Sequence, residues 1–405
     1  MTLVTPSSEE EIVDLVTACA TDGRKIRVRG AGKSHPDVIA TDHIALSMEH
    51  FSTITAIDTE NRTVTVGPAM LIDDLCSRLW DEGFTVCGIG TVSGQTVGGL
   101  IAAGSHGHGL HMSCFAAYVT ALRIIDGNGK LQQLSNEYNA DIFHAFPVAM
   151  GCLGIITEVV LSIVPRYHVR TTFSYEPYRK ERPAWPLQLI SRSSSMVRLR
   201  PDTGVAVVVT LTPCDGPVNG DDVSRCYEGH FQFYPKTYPR PPLDFLQRMQ
   251  ARFRLLPMRI ANKLGMQNHE SLCISIGYAV PMAKAEKALQ SLDRLYVQSY
   301  PWLRGSYGIR ATKADDLWLS MGYREDVCHI GCYMTSRYGT AAYLAKAEAI
   351  MRNLGGRPHW GKPFDTTKVD LASVYPKWQE FKALSQTMDP NGVFENEWAR
   401  NTFAH

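Results

Sequence analysis

Beyond Ser7, apolar residues recur at helical spacing, with Ile12, Val13, Leu15, Val16 and Cys19 on one face. Ser7 and Glu10 read as a capping box ahead of that helix, which should end near Asp22 and Gly23. The pattern then changes to short strands: KIRVRG, HIALSM, STITAID and TVTVG, the last two joined by a turn at Glu60-Asn61-Arg62. LIDDLCSRLWDEG returns to helical spacing and stops at Gly83. The first 85 residues therefore read as a small α+β unit.

Residues 88–109 break this pattern, because eight of the 22 are glycine and few are charged, serine or proline, so the stretch is not a linker. It reads as a glycine-rich loop. VTALRIID and KLQQLS then form a hairpin around Gly127-Asn128-Gly129, and AFPVAMGCLGIITEVVLSIVPRY ends in a strand. After Tyr167 glycine thins, while proline and aromatic residues gather in EPYRKERPAWP and YPKTYPRPPLDF. This shift marks a second domain over 168–355. Within it Ala283–Val297 and Tyr343–Leu354 read as helices, and CISIGYAV and HIGCYMT as strands.

Composition narrows the function. The chain has 405 residues, 44% of them apolar, enough for two or three packed domains. With 41 basic and 40 acidic residues scattered along it, neither nucleic acid nor an anionic membrane is the expected partner. Its ten cysteines include no C-x-x-C pair, which suits reduced thiols in a cytoplasmic protein. The N-terminal residues lack signal-peptide character, and no window is apolar enough to span a membrane. P-loop, nucleophile-elbow and H-E-x-x-H motifs are absent.

Three stretches carry candidate chemistry. Gly30 to Ser34 follows a strand and reads either as a phosphate nest or as a tight corner. With Gly98–Gly109 and Gly151–Gly154 it makes three backbone-open segments in one domain. That arrangement suits a dinucleotide threaded along main-chain N–H groups. His106, His108 and His111 have neither carboxylate nor cysteine near them, so no metal site is expected. Arg357–Lys362, RPHWGK, reads either as a surface loop with a packed tryptophan or as a polar site with Trp360 as its apolar wall; Arg310 is a further candidate.

Together these motifs resemble the vanillyl-alcohol-oxidase superfamily of FAD enzymes. Within it the chain is similar to the sugar-acid lactone and alditol oxidase branch. The matching pieces run in order along the chain: RGAGKS at 29–34, ATD at 40–42, GSHGHG at 104–109, GCLGIIT at 151–157, RPHWGK at 357–362 and DPNGVFEN at 389–396. The resemblance implies an α+β fold: a two-subdomain FAD-binding domain of the PCMH type (1–167) and an antiparallel-sheet substrate domain capping the flavin (168–355). A C-terminal segment (356–405) would return to the active site.

The resemblance further implies that Arg29, Gly30, Ala31, Gly32, Lys33 and Ser34 surround the FAD pyrophosphate. Gly98, Gly99, Gly104, Ser105, His106, Gly107, Gly109, Gly151, Gly154 and Ile156 would hold the rest of the cofactor. Lys362, Arg310, His359 and His108 would form the catalytic group, oxidising a CH–OH of a small polyol, sugar lactone or related alcohol by hydride transfer to flavin N5. Oxygen or another acceptor would then take the electrons.

Three positions depart from the pattern. Lys33 stands where many relatives tether FAD through a histidine, so a non-covalent flavin is expected. Gly308 replaces the glutamate of the E-x-R pair that ends at Arg310. His108 replaces a small hydroxyl residue, as a base or as a reshaped pocket wall. The missing glutamate opens an alternative: the same fold with altered chemistry, such as secondary-metabolite oxidation, oxidative cyclisation or rearrangement.

Overall fold

The computed structural model describes residues 1–178, 185–214, 223–226, 274–334 and 339–403. The stretch YPKTYPRPPLDF lies outside the described residues.

The helix Glu9–Asp22 forms as its periodicity predicts, burying Ile12, Val16 and Cys19. Its cap sits one residue later than the sequence pattern suggested. Ser8 accepts from the Glu11 amide, and the Glu11 carboxylate accepts from the Ser7 amide at 2.7 Å. Glu11 faces back over the first turn, so the box is shared between two serines: Ser8 caps the Glu11 amide and the Glu11 carboxylate caps the Ser7 amide. Gly23, at φ 78°, closes the helix by donating to the Cys19 carbonyl.

That helix packs on a parallel sheet ordered Thr2–Val4, Ile44–Ser47, Ile26–Arg29. A second, antiparallel sheet is ordered Ile54–Asp58, Thr63–Val66, Ile155–Ser162, Val119–Ile125, Leu131–Ser135. Along Ile155–Ser162 every second residue is buried, the signature of a half-buried strand. Residues 97–102 differ from the expected loop. Val97–Ala102 is a short helix whose N-cap, Thr96, accepts from the Gly99 amide at 3.3 Å. Gly98 permits it, since a Cβ there would lie 2.9 Å from Pro68.

Among the described residues the third sheet has eight strands, all paired antiparallel. Its order is Val223–Cys226, Tyr167–Pro177, Val205–Cys214, Ser194–Arg200, Gly305–Thr312, Val327–Met334, Ile274–Pro281, Arg357–Pro358. Side-chain alternation divides its faces. Val197, Leu199, Tyr307, Ile309, Ile330 and Cys332 share one core with the helices Ala285–Ser299 and Thr340–Asn353. Arg198, Arg310, His329 and Tyr333 fall on the opposite face and line a cavity.

The C-terminal residues rejoin the first half. Trp360, Tyr375, Trp378 and Phe381 are buried in the core that also holds Leu75, Phe115 and Val159. Arg357–Pro358 adds the last strand to the eight-stranded sheet, so one short segment ties both halves together.

Candidate functional site

Two cavities adjoin. The first, of about 340 Å³, is lined by the Arg29–Ser34 turn, by Gly98 and Gly99, and by Gly151, Gly154 and Ile156. The strand Ile26–Arg29 delivers the turn, and Gly32 bends it at φ 66° with nothing within 4 Å of where a Cβ would stand. Among the described residues, the amides of Ala31 to Ser34 donate to no backbone carbonyl. Successive unsatisfied N–H groups around a cavity are the donor set that a pyrophosphate accepts from, and the apolar wall of Val38, Leu153 and Ile156 suits the flat rings of a nucleotide. The residues present therefore fit FAD.

One residue that the motifs did not flag holds this cavity's rim. Arg27 is buried, and its guanidinium donates to the carbonyls of Phe394 (2.8 Å), Val38 (2.7 Å) and Met150 (2.9 Å). The DPNGVFEN segment supplies a second clamp. Asp389 accepts from the amides of Val393 and Phe394, and the Asn396 amide reaches the carbonyls of Asp37, Val38 and Ala40.

The second cavity, of about 670 Å³, shares Lys33, Ser34, Gln95 and Ala103 with the first. Ser105 and His106 line it, together with Arg310, His359 and Lys362. His359 and Lys362 sit in a turn anchored on both halves. The His359 amide donates to the Gly277 carbonyl at 2.9 Å, and the Gly361 carbonyl accepts from His35 at 2.9 Å. Trp360 between them is not a pocket wall. It is fully buried, stacks on Tyr375, and donates Nε1–H to the Leu319 carbonyl at 2.8 Å, which fixes the turn.

Gly104, Gly107, Gly109 and His108 line neither cavity. The loop holding them packs between the two halves, where the Gly109 amide donates to Ala311 at 2.7 Å and Gly107 sits against the Ile89 carbonyl. Glycine allows close approach there, since a Cβ at Gly104, Gly107 or Gly109 would crowd Val148, the Ile89 carbonyl or His111.

The second cavity carries positive charge. Lys33, Arg198, Arg310 and Lys362 line it, and no aspartate or glutamate does among the described residues. Arg310 donates to Thr91 Oγ1 at 2.9 Å, and Arg198 donates to Ser306 Oγ at 2.9 Å. The histidines beside them are held neutral. His106 stacks on His329 with ring centres 3.4 Å apart, and burial, then neighbouring imidazoles and cations, hold both far below the ordinary histidine value. Burial, followed by Lys362 and Arg310, lowers His359 to about 3; burial, followed by Arg310, does the same for His108. Tyr333 moves the other way from an ordinary buried phenol. Burial raises its pKa, but Lys362, Arg310 and Arg198 together bring it below the usual tyrosine value.

Sequence motifs missed Tyr333, Arg198 and His329. A usable signal exists in VCHIGCYM, where His329, Gly331 and Tyr333 alternate with Cys328, Ile330 and Cys332 at strand spacing. Among the described residues, no group of three or more His, Cys, Asp or Glu is placed to hold a metal ion. No helix of the described residues is long and apolar enough to cross a membrane.

Comparison with known proteins agrees with this geometry. Residues 2–135 match a family model for the FAD binding domain, and residues 273–402 match one for D-arabinono-1,4-lactone oxidase. L-Gulonolactone oxidase of Bos taurus is 28% identical over 98% of this chain and 94% of its own length. L-Gulono-1,4-lactone dehydrogenase of Mycobacterium tuberculosis is 25% identical over 98% and 95%, and alditol oxidase of a Streptomyces species 24% over 98% and 94%. Among solved structures, cholesterol oxidase from B. sterolicum superposes with a TM-score of 0.75 at 15% identity, covering 99% of this chain and 94% of its own. Xylooligosaccharide oxidase from Myceliophthora thermophila superposes with a TM-score of 0.72 at 14% identity, covering 98% and 90%. These two likenesses establish the fold.

Proposed function

We propose that this chain, an FAD-dependent oxidoreductase homologous to the L-gulonolactone, D-arabinono-1,4-lactone and alditol oxidases, oxidises a CH–OH group of a small sugar lactone or polyol. One observation carries the reading: the glycine-walled cavity opens directly onto the chamber where Arg310 and Lys362 converge. FAD, when bound, supplies the two-electron acceptor that takes hydride from the hydroxyl-bearing carbon. The comparisons do not favour cyclisation or rearrangement.

The chain's own groups divide the remaining work. The Ala31–Ser34 amides and the Gly98, Gly99, Gly151 and Gly154 backbone hold the cofactor. Arg310, braced by Thr91, fixes a substrate oxygen, and Lys362 stabilises negative charge as it develops. His359, kept neutral, donates or accepts a hydrogen bond without adding charge. His108 shapes the interdomain loop. It is fully buried outside the lining of either cavity, and burial followed by Arg310 lowers its pKa to about 3, which weighs against the base reading.

In this reading residues 1–167 are the cofactor domain, 168–355 the cap, and 356–405 the returning segment. The flavin is held without a covalent bond, because Lys33 occupies the rim where a tethering histidine is absent. The buried thiols of Cys19, Cys114, Cys152, Cys328 and Cys332 suit a reducing, cytoplasmic setting. Oxygen or another acceptor completes the cycle.

Anaerobic mixing of the purified yellow holoenzyme with aldonolactones and alditols is the test. The expected result is bleaching of the flavin band by at least one of them, with the colour released to the supernatant on acid precipitation. Product formed without bleaching would move the reading to altered chemistry. Bleaching by none of these alcohols would overturn it, and colour left in the pellet would overturn non-covalent binding.

A further inference from the structure

Three glycines lie side by side across the centre of the eight-stranded sheet. Gly331 pairs with Gly277 on one side and with Gly308 on the other. All three fall on the face that lines the second cavity. Three adjacent positions without side chains would leave a trough in the sheet, and two residues fill it. The Tyr333 ring lies across Gly331 and Gly308, where added Cβ atoms would stand 2.8 and 2.9 Å from its Cε2. The Lys362 stem lies across Gly277, where a Cβ would stand 2.9 Å from Cδ. The glycines are thus a fitted seat: a side chain at any of them would displace Tyr333 or Lys362.

The seat brings the two polar ends together. Lys362 Nζ donates to Tyr333 Oη at 3.3 Å and lies 4.4 Å from the centre of its ring. The strand Ser194–Arg200 presents Arg198 to the same ring, 5.2 Å from its centre, and Gly305–Thr312 presents Arg310. On either side Tyr333 pairs with a serine, Ser275 and Ser306. The turn behind Lys362 adds neutral His359, and the same strand adds neutral His329. Every element packed around the phenol therefore offers a cation or an uncharged group. Gly308 is also where the resemblance leads one to expect a carboxylate. The trough it leaves is filled by a cavity-lining phenol, which gains negative charge on losing a proton and stands among these cations.

We infer that Tyr333 Oη, seated on Gly331 and Gly308 and bonded to Lys362, accepts the substrate's hydroxyl proton. This rests on the oxidoreductase reading. The hydroxyl proton passes to the phenolate oxygen, the carbon-bound hydrogen leaves with its electron pair to the bound FAD, and the C–O bond becomes C=O. Lys362 and the arginines favour the phenolate, so the reaction needs no carboxylate base.

Tyr333→Phe tests this in the holoenzyme, because it keeps the ring on its glycine seat and removes only the hydroxyl. Anaerobic flavin reduction should slow by about 10²–10⁴-fold, the usual range for a lost general base, with substrate affinity little changed. In the native enzyme the rate should rise with pH through a group below the ordinary tyrosine value of 10, and that limb should vanish in the variant. Gly308→Ala, which pushes a Cβ into the ring, should slow the same step while leaving FAD content intact. An unchanged rate and an unchanged acid limb in Tyr333→Phe would overturn the inference while leaving the oxidoreductase reading standing. The phenolate absorbance difference between native protein and Tyr333→Phe is independent of turnover. A phenol ionising at or above the ordinary value would also overturn the inference, even if no substrate were known.

Discussion

Two cavities that share a rim are built by different means. The first is walled by backbone: turns and glycines contiguous in sequence, at 29–34, 98–99 and 151–154. The second is walled by side chains that arrive singly from separate strands, Arg198, Arg310 and Tyr333, and from one turn, His359 and Lys362. Backbone walls recognise what is constant in a cofactor, its phosphates and flat rings, and they need no charge of their own. Side-chain walls set reactivity, and here they concentrate cations while leaving the histidines neutral. A lesion should therefore affect FAD retention in the first cavity and the chemical step in the second.

The largest expected effect is in the second cavity. Lys362→Met keeps the aliphatic stem over Gly277 and removes the charge. It should cut kcat/KM by about 10²–10³-fold, as the loss of one preorganised electrostatic partner does, with FAD content unchanged. It should also shift the acid limb of the rate upward, since Lys362 is the largest of the influences that lower the Tyr333 phenol. Full turnover in Lys362→Met would remove the division between the cavities.

Gly32→Val tests the first cavity. A β-branched residue at φ 66° strains the turn by about 1–3 kcal/mol, so FAD should bind about 10–100-fold more weakly, read by flavin fluorescence on dilution. Once saturated with FAD the variant should turn over near the native rate. A large fall in the saturated rate would mean that the turn also positions the reacting groups.

The smallest effect is on stability. His106, His108, His329 and His359 have folded pKa values below the ordinary 6.5. The unfolded chain therefore binds more protons below 6.5, so the stability they contribute is present above that pH and is lost as pH falls towards their folded values, about 3 for His108 and His359. Each should remove at most about 1.4 kcal/mol per pH unit below the ordinary value. Denaturant midpoints measured about one unit either side of 6.5 should differ in that direction. A flat profile would mean that these histidines titrate in the fold as they do in the unfolded chain, and a slope of the opposite sign would mean that the cluster is held charged.

Much of the first cavity was legible because its residues are neighbours in the chain. RGAGKS and GCLGIIT each place several lining residues in one short segment, so local spacing carried the signal. The glycine-rich 98–109 stretch was only half legible. Gly98 and Gly99 reach the first cavity from a helix, while Gly104, Gly107 and Gly109 serve close packing, because a glycine in sequence does not state which surface comes near it. In the second cavity Lys362 and Arg310 were found by motif. Tyr333 was passed over because HIGCYM reads first as a buried strand, with Ile330 and Cys332 dominating its apparent character.

By itself the sequence determined most of the helices and strands and the clustering of glycines at 30–32, 98–99 and 151–154, since these depend on periodicity or on residues a few positions apart, while the antiparallel cap came from the resemblance and spacing left the roles of the Gly30–Ser34 turn and of RPHWGK open. Only the tertiary structure decided that Trp360 anchors its turn rather than walls the site, that His108 is buried outside the chamber's lining, and that Gly277, Gly331 and Gly308 align into one seat. The reason is sheet register. Those three glycines are far apart in the chain, and only hydrogen-bonded pairing between strands brings them side by side beneath Tyr333 and Lys362.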